Sequence, residues 1–317
     1  MVELGIVHYG LGPIGSRIAA LVAERPGLTS VGAIDVDPQK AGQDLGTVIG
    51  LGRVLGVSVV DRLAKVKTGA TIAFHSTASS LRVVQDQLRE LLDAGLNVVS
   101  TCEELSYPWH AQPTLARDLD TCARANGVRL LGTGVNPGFV MDTLPLLLTL
   151  PVQNARAIRI RRVVDTARRR VQLQRKTGAG LTVEEFRRLA GQEIRHVGLP
   201  ESLAMVAHGV GWQIGNIEDQ ITPVIADRER RSADIVVPPG SIAGVHQTAR
   251  AQTTDGNTVE LDLVMAIQAE DEADSVEIDG RPPMKLVIPG GIHGDEATAA
   301  VVVNVVPRLL ETPPGLR

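Results

Sequence analysis

Two hydrophobic periods alternate along the first ~135 residues of the chain. Short apolar runs at Leu4–Tyr9, Val31–Asp35, Val57–Val60, Thr71–His75, Asn97–Thr101 and Val128–Leu131 read as strands. Segments with helical spacing separate them. Ile18, Leu21 and Val22 form one stripe that ends at Pro26-Gly27. Leu81–Leu92 sets Val84, Leu88, Leu91 and Leu92 on one face among Arg, Gln and Asp, and Leu115–Ala125 follows. This order predicts an α/β domain, a parallel sheet covered on both faces.

The pattern changes after Gly138. Phe139–Leu148 is largely apolar and predicts a buried helix, with Pro151 as a boundary. From Ile158 to Lys176, arginines are interspersed with β-branched residues, the pattern of a sheet with one solvated face. Arg161, Arg162 and Arg168 to Arg170 could anchor a carboxylate, but a solvated sheet face or a subunit contact is the commoner explanation. Thr182, with Glu185 three residues later, predicts a capping box, and Glu201–Trp212 a further helix. Strand-like alternation returns from Ile235 to Val276, with a turn at Asp255-Gly256-Asn257. Asp295–Leu310, rich in Ala and Val, predicts a closing helix with Asp295 as its cap, whose broad apolar face packs back on the first domain. The expected division is residues 1–137 completed by 291–317, and residues 138–290 as a second α+β domain with an open mixed sheet.

Gly10-Leu-Gly12-Pro13-Ile14-Gly15 follows the first strand and opens the first helix. A glycine turn in that position aims backbone N–H groups and the positive helix end at a pyrophosphate. Gly10 allows the tight turn, Gly12 close approach of phosphate and Gly15 close packing of helix on strand. Asp35 ends the second strand 20 residues beyond Gly15, where a ribose hydroxyl pair needs an acceptor. The first domain is therefore expected to be a doubly wound Rossmann sheet binding a dinucleotide. A carboxylate at Asp35, with Asp37 rather than an arginine nearby, favours NAD(H), while Lys40 leaves NADP(H) open.

In such a sheet, ligands bind beyond the carboxyl ends of the strands. Ser76 and Thr77 could approach the cofactor there, although a turn capped by Ser79 or Ser80 explains that segment equally well. Glu103 and Glu104 follow the fifth strand. A carboxylate entering a poorly solvated site has a raised pKa and can hold or shuttle a proton near neutrality. Glu103 is nearer the strand end and is the chosen acid, with Glu104 as alternative, and two solvated loop acids as the competing reading. Asn136 carries an amide suited to a nicotinamide or a polar substrate group, or is a turn residue before Pro137. Val135, Phe139, Val140 and Met141 could wall an apolar substrate or simply pack. His293 is read as part of a helix-start loop and His208 as a packed helix residue.

Composition narrows the classes. The chain has 317 residues, 44% hydrophobic content and net charge −4, values ordinary for a globular protein. No basic stripe with interleaved aromatics suggests nucleic acid. No apolar run approaches the ~20 residues that span a bilayer, so neither membrane nor export is indicated and a cytoplasmic location is expected. Cys102 and Cys122 are too few for a disulfide framework or a zinc site, and no metal is expected. Only seven aromatic residues occur, so a substrate pocket would be mainly aliphatic.

The segments Tyr9–Gly15, Ser100–Pro108, Gly132–Phe139 and Lys176–Phe186, with the closing His293-Gly-Asp and Pro-Pro-Gly, together resemble the 2,4-diaminopentanoate dehydrogenase and native amine dehydrogenase group, distant relatives of dihydrodipicolinate reductase. The resemblance implies a nicotinamide-dependent interconversion of an amine with a ketone plus ammonia, carried out by a homodimer. It places the family's catalytic carboxylate within Cys102-Glu103-Glu104, carried over to Glu103. Small aliphatic or cyclic ketones and aldehydes are the expected substrates, with 2,4-diaminopentanoate oxidation or an ammonia-independent carbonyl or semialdehyde reductase as alternatives. The histidine pair and lysine of dihydrodipicolinate reductase have no counterpart in this sequence.

Overall fold

The computed structural model describes residues 3–66 and 69–317. The chain folds as two compact units, 1–139 with 293–317, and 140–292. In the first unit, β1 (Leu4–Tyr9), α1 (Pro13–Glu24), β2 (Leu28–Ile34), α2 (Leu45–Val48), β3 (Val59–Val60), β4 (Ile72–His75), α3 (Leu81–Asp93), β5 (Asn97–Ser100), α4 (Pro108–Ala111), α5 (Pro113–Ala125) and β6 (Arg129–Gly132) follow one another. The second unit contains α6 (Thr143–Thr149), β7 (Gln153–Asp165), α7 (Val171–Lys176), α8 (Val183–Leu189), α9 (Leu199–Gly209), β8 (Glu218–Ile225), β9 (Arg230–Arg231), β10 (Val236–Val237), β11 (Ile242–Gln252), β12 (Thr258–Ala266), β13 (Ala273–Arg281) and β14 (Met284–Pro289). The chain then re-enters the first unit with α10 (Gly294–Asn304), α11 (Val306–Glu311) and β15 (Gly315–Leu316).

The first unit's sheet has the order β15-β6-β5-β4-β1-β2-β3, with every pair parallel. Chain direction across the sheet reverses between β1 and β4, the switch point at which doubly wound sheets bind nucleotides. Side chains alternate between two cores. Val7 and Val98 join Val84 and Leu88 of α3 and Leu119 and Ala123 of α5 on one face, while Ile6, Ile72 and Phe74 join Ile18, Val22, Val302 and Val303 on the other. The closing helix thus covers the first sheet beside α1, as its apolar face required. It is not one helix from Asp295: Pro307 lacks the N–H that continuation needs, and the segment divides into α10 and α11. Asp295 lies in the first turn, with His293 at the N-cap position.

The second unit's sheet has the order β14-β13-β7-β12-β11-β8 and is mixed, with β7 and β12 parallel and the other pairs antiparallel. Ile158, Ile160, Val259, Leu261, Leu263 and Val276 are buried within it, and α9 packs against β11 and β12. The Thr182–Glu185 capping box forms as expected.

Three expectations fail in the second unit. The helix foreseen at Phe139–Leu148 begins only at Thr143, beyond Asp142, and Pro145 alone of its residues is buried; Leu147 is 55% exposed. The arginine-rich segment leaves the sheet after Asp165 and continues through α7. Arg162 and Arg169 are buried rather than solvated. Arg162 Nη1 donates to both Asp274 oxygens at 2.6 Å and Nη2 to the Ile292 carbonyl at 2.7 Å.

Candidate active site

The glycine turn has the geometry its sequence demands. Gly10 sits at φ +93°, and a Cβ there would lie 2.4 Å from the Ser76 carbonyl oxygen. A Cβ on Gly15 would lie 1.9 Å from the Gly10 carbonyl oxygen, so Gly15 is needed for helix-on-turn packing. A Cβ on Gly12 would meet nothing within 4 Å, which leaves the space in front of the turn open. Pro13 begins α1, no side chain caps its N-terminus and no acid lies in its first turn, so the positive end of the helix is uncompensated. Ile14 follows in that first turn.

Asp35 is tied to this turn. Its Oδ2 accepts the Leu11 N–H at 2.8 Å and the Lys40 ammonium at 3.0 Å, and Oδ1 accepts the Asp37 N–H at 2.9 Å. Burial opposes ionisation, but the Asp37 N–H, Lys40 and the Leu11 N–H together hold the carboxyl below the usual range. Oδ1 keeps lone-pair capacity for a ribose hydroxyl. Lys40 also donates to the Leu11 carbonyl at 3.1 Å, so a cation stands beside the acid.

Ser76 and Thr77 emerge at the end of β4, beside β1 at the switch point. The Ser76 hydroxyl donates to the Gly10 carbonyl at 3.4 Å and Thr77 is exposed. Neither Ser79 nor Ser80 caps α3 with its side chain: Ser80 occupies the N-cap position without such a bond. The cap comes from elsewhere. Glu104 Oε2 accepts from the Leu81 N–H at 2.7 Å, the Ser80 hydroxyl at 3.1 Å and the Gln112 amide at 2.8 Å. Glu104 is therefore engaged in holding the N-terminus of α3.

Glu103 begins the helical turn Glu103–Leu105 that follows β5, and is half-buried. Gly132 at the end of β6 makes room for this turn, since a Cβ there would lie 2.4 Å from the Leu105 carbonyl carbon. Burial pushes the neighbouring Cys102 thiol up to about 12, and it donates to the Ser79 carbonyl at 3.2 Å. A thiol so protonated is no nucleophile.

Asn136 lies on the loop after β6. Its Oδ1 is sealed from solvent with no hydrogen-bond partner among the described residues, an acceptor awaiting a donor. Thr298 of α10 steadies this loop by accepting the Val135 N–H at 3.2 Å, a role that sequence spacing could not reveal across 163 residues. Val135, Val140 and Met141 are buried, and Phe139 is half-buried. His208 is exposed in the last turn of α9 rather than packed. Among the described residues no cluster suited to a metal ion occurs, and no helix is long and apolar enough to cross a membrane. An open phosphate approach at Gly12, an acid with spare acceptor capacity at Asp35 and an unpartnered amide oxygen at Asn136 fit a nicotinamide dinucleotide.

Comparison with known proteins agrees. Residues 139–317 match the 2,4-diaminopentanoate dehydrogenase C-terminal domain family. The whole chain is 29% identical to 2,4-diaminopentanoate dehydrogenase of Acetoanaerobium sticklandii, over 92% of that protein. The fold superposes on amine dehydrogenase from Mycobacterium smegmatis with a TM-score of 0.88 and 30% identity, covering 99% of this chain and 94% of that one. A shorter likeness, 36% identity over 97 residues, joins 30% of this chain to 36% of 4-hydroxy-tetrahydrodipicolinate reductase of Anaeromyxobacter dehalogenans. With its doubly wound sheet, its glycine turn and these full-length relatives, the chain belongs to the 2,4-diaminopentanoate dehydrogenase family and is a nicotinamide-dependent oxidoreductase.

Proposed function

We propose that the protein is an amine dehydrogenase, which joins ammonia to a small ketone or aldehyde reductively and runs the reverse oxidative deamination, with Glu103 as the catalytic carboxylate. The observation that carries the assignment is the place of Glu103, half-buried in the turn directly after β5 at the carboxyl end of the parallel sheet. Glu104 binds three donors around the start of α3, and Glu103 occupies the same turn at the carboxyl end of β5, next to β4 in the sheet.

Gly10, Gly12, Pro13, Ile14 and Gly15 would cradle the pyrophosphate, Asp35 a ribose, Ser76 and Thr77 the middle of the cofactor, and Asn136 Oδ1 the carboxamide. When bound, the nicotinamide supplies or accepts hydride. Glu103 takes a proton from the nitrogen as ammonia adds to the carbonyl carbon. It returns that proton to the former carbonyl oxygen, which gives the carbinolamine, and a second proton, drawn from ammonium in the medium, then leaves with the hydroxyl as water and generates the iminium carbon that takes hydride. Much of the acceleration then comes from holding carbonyl, ammonia and hydride donor in line. Phe139 and Val135, with Val140 and Met141, are the aliphatic and aromatic side chains proposed to exclude water from a small apolar substrate.

Asp35 favours NAD(H), and the Lys40 ammonium 3.0 Å from it lessens repulsion of a 2′-phosphate, so NADP(H) is accepted as well. A homodimer in the cytoplasm is the proposed working form. Oxidation of 2,4-diaminopentanoate is the second reading, favoured by the 29% identity along the full chain to an enzyme of that name. The test is a pair of variants. Glu103→Gln abolishes turnover with NADH binding nearly intact, whereas Glu104→Gln retains the chemistry; the reverse ranking would transfer the role to Glu104.

A further inference from the structure

The His75 side chain is fully buried at the end of β4, and no step assigned to Glu103 uses it. Its ring nitrogens nevertheless have partners on three elements: Ser100 at the end of β5, Gln87 on α3 and Thr77 on the loop after β4. Gln87 Oε1 can only accept, so Nε2 carries the proton, which faces Gln87 Oε1 at 2.9 Å and Thr77 Oγ1 at 3.0 Å. Thr77 itself donates to Gln87 Oε1 at 2.7 Å. Nδ1 is then a lone pair that accepts the Ser100 hydroxyl proton at 2.8 Å, and Ser100 Oγ accepts the Cys102 N–H at 3.1 Å. One tautomer, assigned from this network, satisfies every group in it. Burial pushes the ring down to about 4, against a smaller upward pull from Gln87, so the neutral form persists.

The two arms end at places that matter. One fixes the backbone at Cys102, where the chain leaves β5 and enters the turn that begins with Glu103. The other fixes Thr77, exposed beyond β4 on the side of the glycine turn. We propose that His75 is a positioning residue that sets the register between the Glu103 turn and the Thr77 loop, and so the placement of the carboxylate relative to the bound nicotinamide dinucleotide. This rests on Glu103 being the catalytic acid.

The arms can be cut separately. His75→Asn keeps an acceptor near the Nδ1 position and loses the Nε2 donor, His75→Gln does the reverse, and Ser100→Ala removes the link to Cys102 while leaving the ring. NADH dissociation constants from fluorescence titration, kcat at saturating substrates and melting temperatures are measured on each. Ser100→Ala and His75→Gln are expected to lose kcat about tenfold or more with NADH affinity within about twofold. His75→Asn is expected to weaken NADH about three- to tenfold with kcat largely kept. Parallel loss of kcat and affinity in all three, in step with melting temperature, overturns the proposal in favour of a structural histidine. An inactive Glu103→Gln beside wild-type kinetics in these variants overturns the positioning role alone, and wild-type turnover in Glu103→Gln overturns the carboxylate reading together with it.

Discussion

Glu104 Oε2 stands 2.7 Å from the Leu81 amide nitrogen, so the turn after β5 supplies the cap that α3 lacks locally. Helix ends leave N–H groups that need acceptors, and losing a cap costs about 0.5–2 kcal/mol. Glu104→Ala also strands the Ser80 and Gln112 donors. Urea unfolding of Glu104→Ala should show a loss of roughly 1–2 kcal/mol; unchanged stability would show that water or another side chain replaces the cap.

Lys40 beside Asp35 makes cofactor choice adjustable. Asp35→Ala removes the ribose acceptor and the negative charge, so NADH affinity should fall about three- to tenfold while NADPH loses less or gains. Lys40→Ala should shift the ratio the other way, toward NADH. Fluorescence titrations with both cofactors decide it, and an unchanged ratio in both variants would contradict the ribose assignment.

What the sequence made legible was the local chemistry. The glycine turn, the acid 20 residues on and the Thr182–Glu185 box are each set by a few neighbouring residues whose backbone geometry leaves little choice. Long-range pairings were hidden. Nothing near Glu104 tells that its partner is Leu81, and Arg162 looks solvent-facing among arginines until Asp274 arrives from 112 residues away. The helix after Phe139 starts late for a local reason: Asp142 takes the N-cap position and accepts the Thr143 N–H, so apolar content begins at residue 139 but helical backbone does not. Of the two acids, sequence position favoured Glu103; the reason to set Glu104 apart is tertiary. Thr298 carried no local signal at all, and His75 was marked only by its place at the end of the fourth strand.

Arg162 and Asp274 are buried to 5 and 3% side-chain exposure, and Asp274 also accepts the Ile292 N–H at 2.7 Å. Removing one partner leaves an uncompensated buried charge, which costs about 3–5 kcal/mol. Asp274→Ala should therefore be strongly destabilised in chemical unfolding, and Arg162→Met with Asp274→Leu less so than Asp274→Ala alone. Equal stability of wild type and Asp274→Ala would refute the buried pair.

Burial pushes His8 and His75 down to about 4. An unfolded histidine takes up a proton near pH 6.5, whereas these two resist until about 4, so the unfolded state binds more protons between those values. Their contribution to stability is complete above pH 6.5 and falls as pH drops toward 4, by roughly 2 kcal/mol per ring at pH 5. The carboxyl groups of Asp35 and Asp44, held below their usual range, stay ionised over that window and add no slope there. Urea midpoints should be clearly lower at about pH 5 than at about pH 7.5; identical midpoints would mean that the rings are already solvated.

Reductive amination requires that a carbonyl is reduced only once ammonia has joined it. Loss of NADH and NADPH absorbance, followed with small ketones, aldehydes and 2-amino-4-oxopentanoate at alkaline pH with and without ammonium, addresses this directly. An amine dehydrogenase oxidises the cofactor only when ammonium is present, and the responding carbonyl names the substrate class. Equal rates without ammonium would contradict the assignment and identify an ordinary carbonyl reductase.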